Sequence, residues 1–207
     1  MEEPFDNGTV QGFLHRPAQP NDHGIVLTHG AGANARAPLL VGLARAFEDR
    51  GFTVLRYDLP FRRLRPGGPP MPAQAARDRE GVREAVSAMR GLVPGSIVAA
   101  GHSYGGRQTA MAAAEDPALV RSLVLFSYPL HPPKKPGQLR TSFFRDLRTP
   151  ALFVHGTRDP FGTIEELRAN IALIPARTEI VAVEGAAHDL KRAPALVGEQ
   201  ILPRMLF

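Results

Sequence analysis

A chain of 207 residues with 43% hydrophobic content can bury one ordinary core, and a single domain spanning residues 1–207 is expected. The absence of cysteine excludes disulfides, thiolate zinc sites and a cysteine nucleophile, and no run approaches the roughly 18 apolar residues of a membrane span. The net charge of +5 is mostly arginine, since only Lys134, Lys135 and Lys191 are lysine among 25 basic residues; with no helix-turn-helix, zinc-finger or RNA-binding signature beside it, nucleic acid is disfavoured as a partner. The first twenty residues carry acids and prolines where a signal peptide needs an apolar run, so a cytoplasmic protein with no membrane association is expected.

Short β-rich runs alternate with helical patterns along the chain, which predicts a mostly parallel sheet of about seven strands covered by helices on both faces. A strand is predicted over Thr9 to Leu14 and another over Ile25 to Thr28. Apolar residues at helical spacing from Pro38 to Arg50 then stop before Gly51, a common C-terminal signal. A strand over Thr53 to Tyr57 leads into the Pro60 to Pro72 loop, a helix over Ala73 to Arg90 and a strand over Ile97 to Ala100. A helix over Gly105 to Ala114 and a strand over Leu123 to Phe126 precede the second proline-rich loop, Pro129 to Pro150. Strands over Leu152 to Val154 and Glu179 to Val183 alternate with helices over Ile164 to Leu173 and Pro194 to Met205.

Open parallel sheets bind ligands at the carboxyl ends of their strands. There this chain places His29-Gly30-Ala31-Gly32, then Gly101-His102-Ser103-Tyr104-Gly105, then Asp159 and finally His188. Gly101 to Gly105 fits G-x-S-x-G, the strained strand-to-helix turn that exposes a serine hydroxyl. With 20 glycines and six serines, about 0.06 such strings are expected by chance, so the match carries weight, and an apolar strand before it and a helix after it add more. A serine needs a base to take its proton and a third group to orient that base. Asp159 follows a strand inside a tight turn, whereas the preceding strand ends in Ser127-Tyr128-Pro129 with no acid. His188 closes the small-residue loop Glu184-Gly185-Ala186-Ala187, which can approach the elbow. The order serine, acid, histidine is the one used by sheet enzymes with this turn. Backbone N–H groups of Ala31 and Tyr104 are the expected donors to a developing oxyanion. His102 reads as the ordinary residue before an elbow serine, while Asp58 and Arg107 read as structural, the first bracing the Ala31 loop and the second forming a salt bridge near the elbow.

Gly30-Ala31-Gly32-Ala33-Asn34-Ala35 also satisfies a dinucleotide fingerprint, with Asp58 as a ribose-binding acid. That reading places the acid 28 residues beyond Gly30 instead of about twenty, and it leaves Ser103, Asp159 and His188 unexplained. No cofactor and no metal is therefore expected.

With these residues placed, the sequence resembles the dienelactone-hydrolase-like branch of α/β-hydrolases, and within it the small group containing the third subunit of the NSL chromatin complex and its testis-expressed relative. The resemblance is carried by Thr28 to Ala33, Tyr57 to Phe61, Gly105-Gly106-Arg107, Ser127 to Pro133 and Gly156 to Gly162. It implies an α/β-hydrolase fold and a serine-hydrolase triad at Ser103, Asp159 and His188. Dienelactone hydrolases proper use a cysteine, which this chain lacks, so their activity is not carried over; relatives in chromatin complexes keep a non-catalytic scaffold as the alternative.

Lids in this fold are inserted after the strand ending near Phe126, and a connection of about twenty residues leaves no large lid domain. The expected substrate is a small or exposed ester or thioester. Arg62, Arg63 and Arg65 in one loop and Lys134, Lys135, Arg140, Arg145 and Arg148 in the other are either two solvated loops of an arginine-rich chain or an expected basic rim that favours anionic substrates.

Overall fold

The computed structural model describes residues 1–205. Eight strands form one sheet in the order β1-β2-β4-β3-β5-β6-β7-β8, where β1 is Glu2–Asp6, β2 Gln11–His15, β3 Gly24–Thr28, β4 Thr53–Tyr57, β5 Ile97–His102, β6 Ser122–Phe126, β7 Ala151–Gly156 and β8 Thr178–Val183. Only β2 runs antiparallel to its neighbours; every pair from β4 to β8 is parallel. The α-helices among the described residues are α1 (Pro38–Glu48), α2 (Pro60–Leu64), α3 (Ala75–Arg90), α4 (Tyr104–Glu115) and α5 (Ile164–Ile171). This is the α/β-hydrolase fold without a lid domain: the β6–β7 connection carries only a single 3₁₀ turn, Phe144–Asp146. No helix of the described residues is long and apolar enough to cross a membrane.

The pleat divides the core in two. On β3, Ile25 and Leu27 face α1 and the C-terminal segment, packing with Leu40, Leu43, Phe47 and Ile201, while Val26 faces the opposite layer with Val82, Val86, Met89 and Ala110 of α3 and α4. Strands covered on both faces must be apolar at every position, and β3 and β6 are buried throughout.

Strand β1 is absent from the sequence reading, although Asn7-Gly8, a strong hairpin signal, stands between it and β2. Gly8 takes φ 88°, and the Asn7 side-chain oxygen accepts the backbone N–H groups of Thr9 and Val10 at 3.2 and 2.8 Å. β1 then brings Glu2 within 2.9 Å of Arg56, an arginine of β4 that is only 1% exposed. Arg56 Nε donates to His15 Nε2 at 2.8 Å, and His15 Nδ1 donates to Glu48 at 2.9 Å. A buried guanidinium is tolerable only with such partners. The Pro60 to Pro72 loop begins as α2, with Pro60 preset at the first helical position. The predicted helix over Pro194 to Met205 is instead a 3₁₀ turn (Ala193–Leu196), a π turn (Val197–Ile201) and a second 3₁₀ turn (Leu202–Arg204). Pro203 removes a ladder donor and Gly198 weakens the interior, so regular α geometry is not held.

Parallel register aligns the strand ends that matter. Thr28 lies opposite Gly101, which puts the loop after β3 beside the turn after β5. Gly156 lies opposite Val183, which puts the turn after β7 beside the loop after β8.

Candidate active site

Ser103 leaves β5 with φ 51° and ψ −117°, a strained conformation for a side-chain-bearing residue. Its N–H donates to the Phe126 carbonyl at 2.8 Å and its own carbonyl accepts the Arg107 N–H at 2.9 Å, so the turn is clamped between β6 and α4. The flanking glycines are required by space. A Cβ on Gly101 would meet the Gly106 nitrogen at 2.6 Å, and a Cβ on Gly105 would collide with the His29 carbonyl oxygen.

The structure brings Ser103, His188 and Asp159 into one hydrogen-bonded run. Ser103 Oγ lies 2.8 Å from His188 Nε2, and His188 Nδ1 lies 2.8 and 3.0 Å from the two Asp159 carboxylate oxygens. An ionised carboxylate only accepts, so Nδ1 carries the proton and Nε2 presents its lone pair to the serine hydroxyl. Burial by itself would raise the Asp159 pKa, but the hydrogen bond and charge of His188, the Phe161 N–H at 2.9 Å and nearby His155 hold it below the usual value. His188 is fixed from one side by the ring of Phe161, with centroids 4.2 Å apart and planes tilted by 30°. From the other, His102 Nε2 donates to the His188 carbonyl at 2.8 Å.

Ala31 and Tyr104 line the same cavity as Ser103. Tyr104 is the first residue of α4, so its N–H has no intrahelical acceptor, and neither it nor the Ala31 N–H is bonded to another described residue. The Ala31 loop is held from beneath by three groups. His29, fully buried, donates from Nδ1 to the Gly30 carbonyl at 2.9 Å and accepts the Leu59 N–H on Nε2 at 3.2 Å; burial lowers its pKa and keeps it neutral in that pattern. Asp58 accepts the Ala35 N–H at 2.6 Å, the bracing role read from the sequence. Arg62 donates to the carbonyls of Ala33, Ala31 and Gly68 at 2.7, 2.8 and 3.0 Å.

That last observation corrects the expected basic rim. Arg62 is only 5% exposed and spends its donors on backbone. Arg63 bonds the Gly8 and Thr9 carbonyls and lines a separate cleft beside α3. Of the eight cations assigned to the rim, Arg140 alone lines the Ser103 cavity. The expected salt bridge of Arg107 is also absent among the described residues; Arg107 lines that cavity, and its buried Nε has no partner. A loop's charge count is visible in sequence, but the direction in which each side chain turns is set by which carbonyls the fold leaves unpaired.

Sequence reasoning missed Asp78 of α3. Its carboxylate accepts the Phe61 N–H at 2.9 Å and the Tyr104 hydroxyl at 2.6 Å, fixing the aromatic side chain beside Ser103, and burial raises its pKa. No local pattern announces an acid on an amphipathic helix that turns inward. The cavity itself has a volume of about 500 Å³ and is walled by Pro69 to Pro72, Pro129 and Phe161.

Solved structures with the same architecture include an alpha-beta serine hydrolase homologue from Coxiella burnetii (18% identity, 98% of this chain and 96% of that one covered, TM-score 0.75). A serine hydrolase without lid from Xanthomonas campestris is similar at 16% identity, with 95% and 91% covered and a TM-score of 0.74. A dienelactone hydrolase from Anabaena variabilis is similar at 21% identity, with 95% and 92% covered and a TM-score of 0.75. At these identities the likeness establishes the fold alone. The family model of the alpha/beta hydrolase domain matches residues 21–198, most of the chain, and the protein belongs to that family.

Proposed function

We propose that the protein is a serine hydrolase that cleaves a small or exposed carboxylic ester or thioester through an acyl-enzyme intermediate. The observation that carries this reading is the hydrogen-bonded run from Ser103 through His188 to Asp159, with the histidine tautomer that the chemistry needs. A scaffold has no use for a strained serine facing an imidazole oriented by a buried carboxylate.

In the proposed reaction, Ser103 Oγ attacks the carbonyl carbon as its proton passes to His188 Nε2. The carbonyl π electrons move to oxygen, and the N–H groups of Ala31 and Tyr104 stabilise that oxyanion; one such donor is typically worth about 3 kcal/mol. Collapse of the tetrahedral species breaks the bond to the alcohol or thiol, which leaves with the proton from Nε2. A water then attacks the acyl-serine, gives its proton to Nε2, and the second collapse releases the carboxylic acid and returns the proton to Ser103. Asp159 stays ionised throughout and stabilises the imidazolium.

Labelling of the purified protein with a fluorophosphonate probe tests the reading. Labelling of the folded protein that is lost in Ser103→Ala and after heat denaturation is expected; folded wild-type protein that does not label overturns it in favour of a non-catalytic scaffold. The finer resemblance to the group containing the NSL subunit rests on the sequence motifs and supplies no substrate, so the substrate class is a question for the cavity.

A further inference from the structure

Two guanidinium groups line the cavity beside Ser103. Arg107 stands four residues after Ser103, one turn into α4, and Arg140 reaches the cavity from the β6–β7 connection. The arginines that form ion pairs among the described residues are Arg16, Arg45, Arg56, Arg79, Arg83 and Arg177, and neither cavity arginine is among them. Tyr128 connects the two: its hydroxyl donates to the Arg140 carbonyl at 2.5 Å and also feels the Arg107 guanidinium. Asp78, the carboxylate joined to this cavity through Tyr104, is occupied by the Tyr104 hydroxyl and the Phe61 N–H. Beside Arg107, Gln108 is fully buried, lines the same cavity and has neither its amide nitrogen nor its amide oxygen hydrogen-bonded to any described residue.

Such an arrangement is costly without an anion. Burial and the neighbouring Arg107 charge both push the Arg140 pKa down, yet guanidinium groups stay protonated in proteins, so like charges are held together. The unpaired Gln108 amide beside them adds a further penalty. One bound anion offsets the two like charges.

We propose that Arg107 and Arg140, with Gln108 beside them, form a carboxylate-binding subsite, and that the ester or thioester turned over at Ser103 carries a free carboxylate a few bonds from its scissile carbonyl. This rests on the serine-hydrolase reading and names its substrate class. A planar carboxylate accepts paired N–H donors from a guanidinium. A cavity of about 500 Å³ has room for a short dicarboxylic hemiester beside Ser103.

Binding to the inactive Ser103→Ala protein separates this inference from the catalytic reading. Calorimetry would compare monomethyl succinate with neutral dimethyl succinate, at low and high salt, in Ser103→Ala and in Ser103→Ala carrying Arg140→Gln or Arg107→Gln. The hemiester is expected to bind about tenfold tighter than the diester, with the preference shrinking in high salt and lost in either double variant. The comparison within Ser103→Ala alone decides the matter should an arginine variant fail to fold. Equal binding of the two esters, a preference untouched by salt and by both substitutions, or hemiester affinity weaker than about 10 mM overturns the subsite. Fluorophosphonate labelling of wild-type protein reports on Ser103 independently, so a labelled protein with no carboxylate preference refutes the subsite and leaves the hydrolase reading standing.

Discussion

His102 Nε2 donates to the carbonyl oxygen of His188 across 2.8 Å, so the residue before the elbow serine holds the loop that carries the base. The two rings are 5.2 Å apart, and burial drives the His102 pKa down to about 4, which keeps it neutral beside a histidine that takes up a proton in the proposed reaction. A second imidazolium there would repel the first.

This predicts a pH dependence of stability. A histidine whose pKa is about 4 when folded and 6.5 when unfolded binds more protons in the unfolded chain between those values. Its contribution is therefore fully present above pH 6.5 and is lost as pH falls towards 4; His15, His29 and His155, also lowered chiefly by burial, act in the same direction. Urea unfolding at several pH values should show stability falling on acidification. His102→Gln, which can still donate to the His188 carbonyl, should flatten that slope by up to about 1.4 kcal/mol per pH unit. An unchanged slope would remove His102 from this account.

Asp159→Asn should leave the fold in place and lower kcat by about 10³- to 10⁴-fold. An amide can donate to His188 Nδ1, which stabilises the tautomer with its proton on Nε2, the wrong nitrogen for taking the serine proton. Steady-state kinetics on a neutral ester, with circular dichroism to confirm folding, checks this; kcat within tenfold of wild type would show that Asp159 does not orient the base.

Arg62→Met should weaken the proposed oxyanion donor without touching Ser103. Arg62 ties the carbonyls of Ala31, Ala33 and Gly68, so its loss frees the loop that carries the Ala31 N–H. We expect kcat to fall by about 10-fold or more, with KM much less affected, because the donor acts mainly in the transition state. A change confined to KM would contradict a role through the loop.

Gly105→Ala should cost about 1–3 kcal/mol of stability, because the added methyl runs into the His29 carbonyl on the neighbouring loop. Gly32→Ala is the control, since a Cβ there meets nothing within 4 Å. Thermal unfolding of the pair checks the contrast, and equal melting temperatures would refute the close approach of elbow and loop.

Much of the fold was legible because its signals are local. Ile25 to Thr28 and Leu123 to Phe126 are short, mostly apolar runs suited to a doubly covered strand, Thr53 to Tyr57 is rich in β-formers despite Arg56, and the structure places strands over all three. Pro38 and Gly51 bracket α1 through fixed φ and through φ 88° respectively. The C-terminal helix failed because Pro203 and Gly198 act against an otherwise helical pattern, and β1 escaped because Glu2-Glu3-Pro4-Phe5-Asp6 has no apolar run, although the Asn7-Gly8 turn signals a hairpin.

By itself the sequence determined the α/β alternation, the glycine-flanked turn at Ser103 and the order in which a nucleophile, an acid and a histidine follow their strands, because each depends on neighbours a few residues apart. Only the tertiary structure decided that His188 meets Ser103 from 85 positions away, that Arg62 turns inward to backbone carbonyls, that Asp78 holds the Tyr104 hydroxyl, and that Arg107 and Arg140 line one cavity. Those outcomes follow from strand register and from packing and hydrogen bonding between distant segments, conditions that leave no periodic trace in the chain.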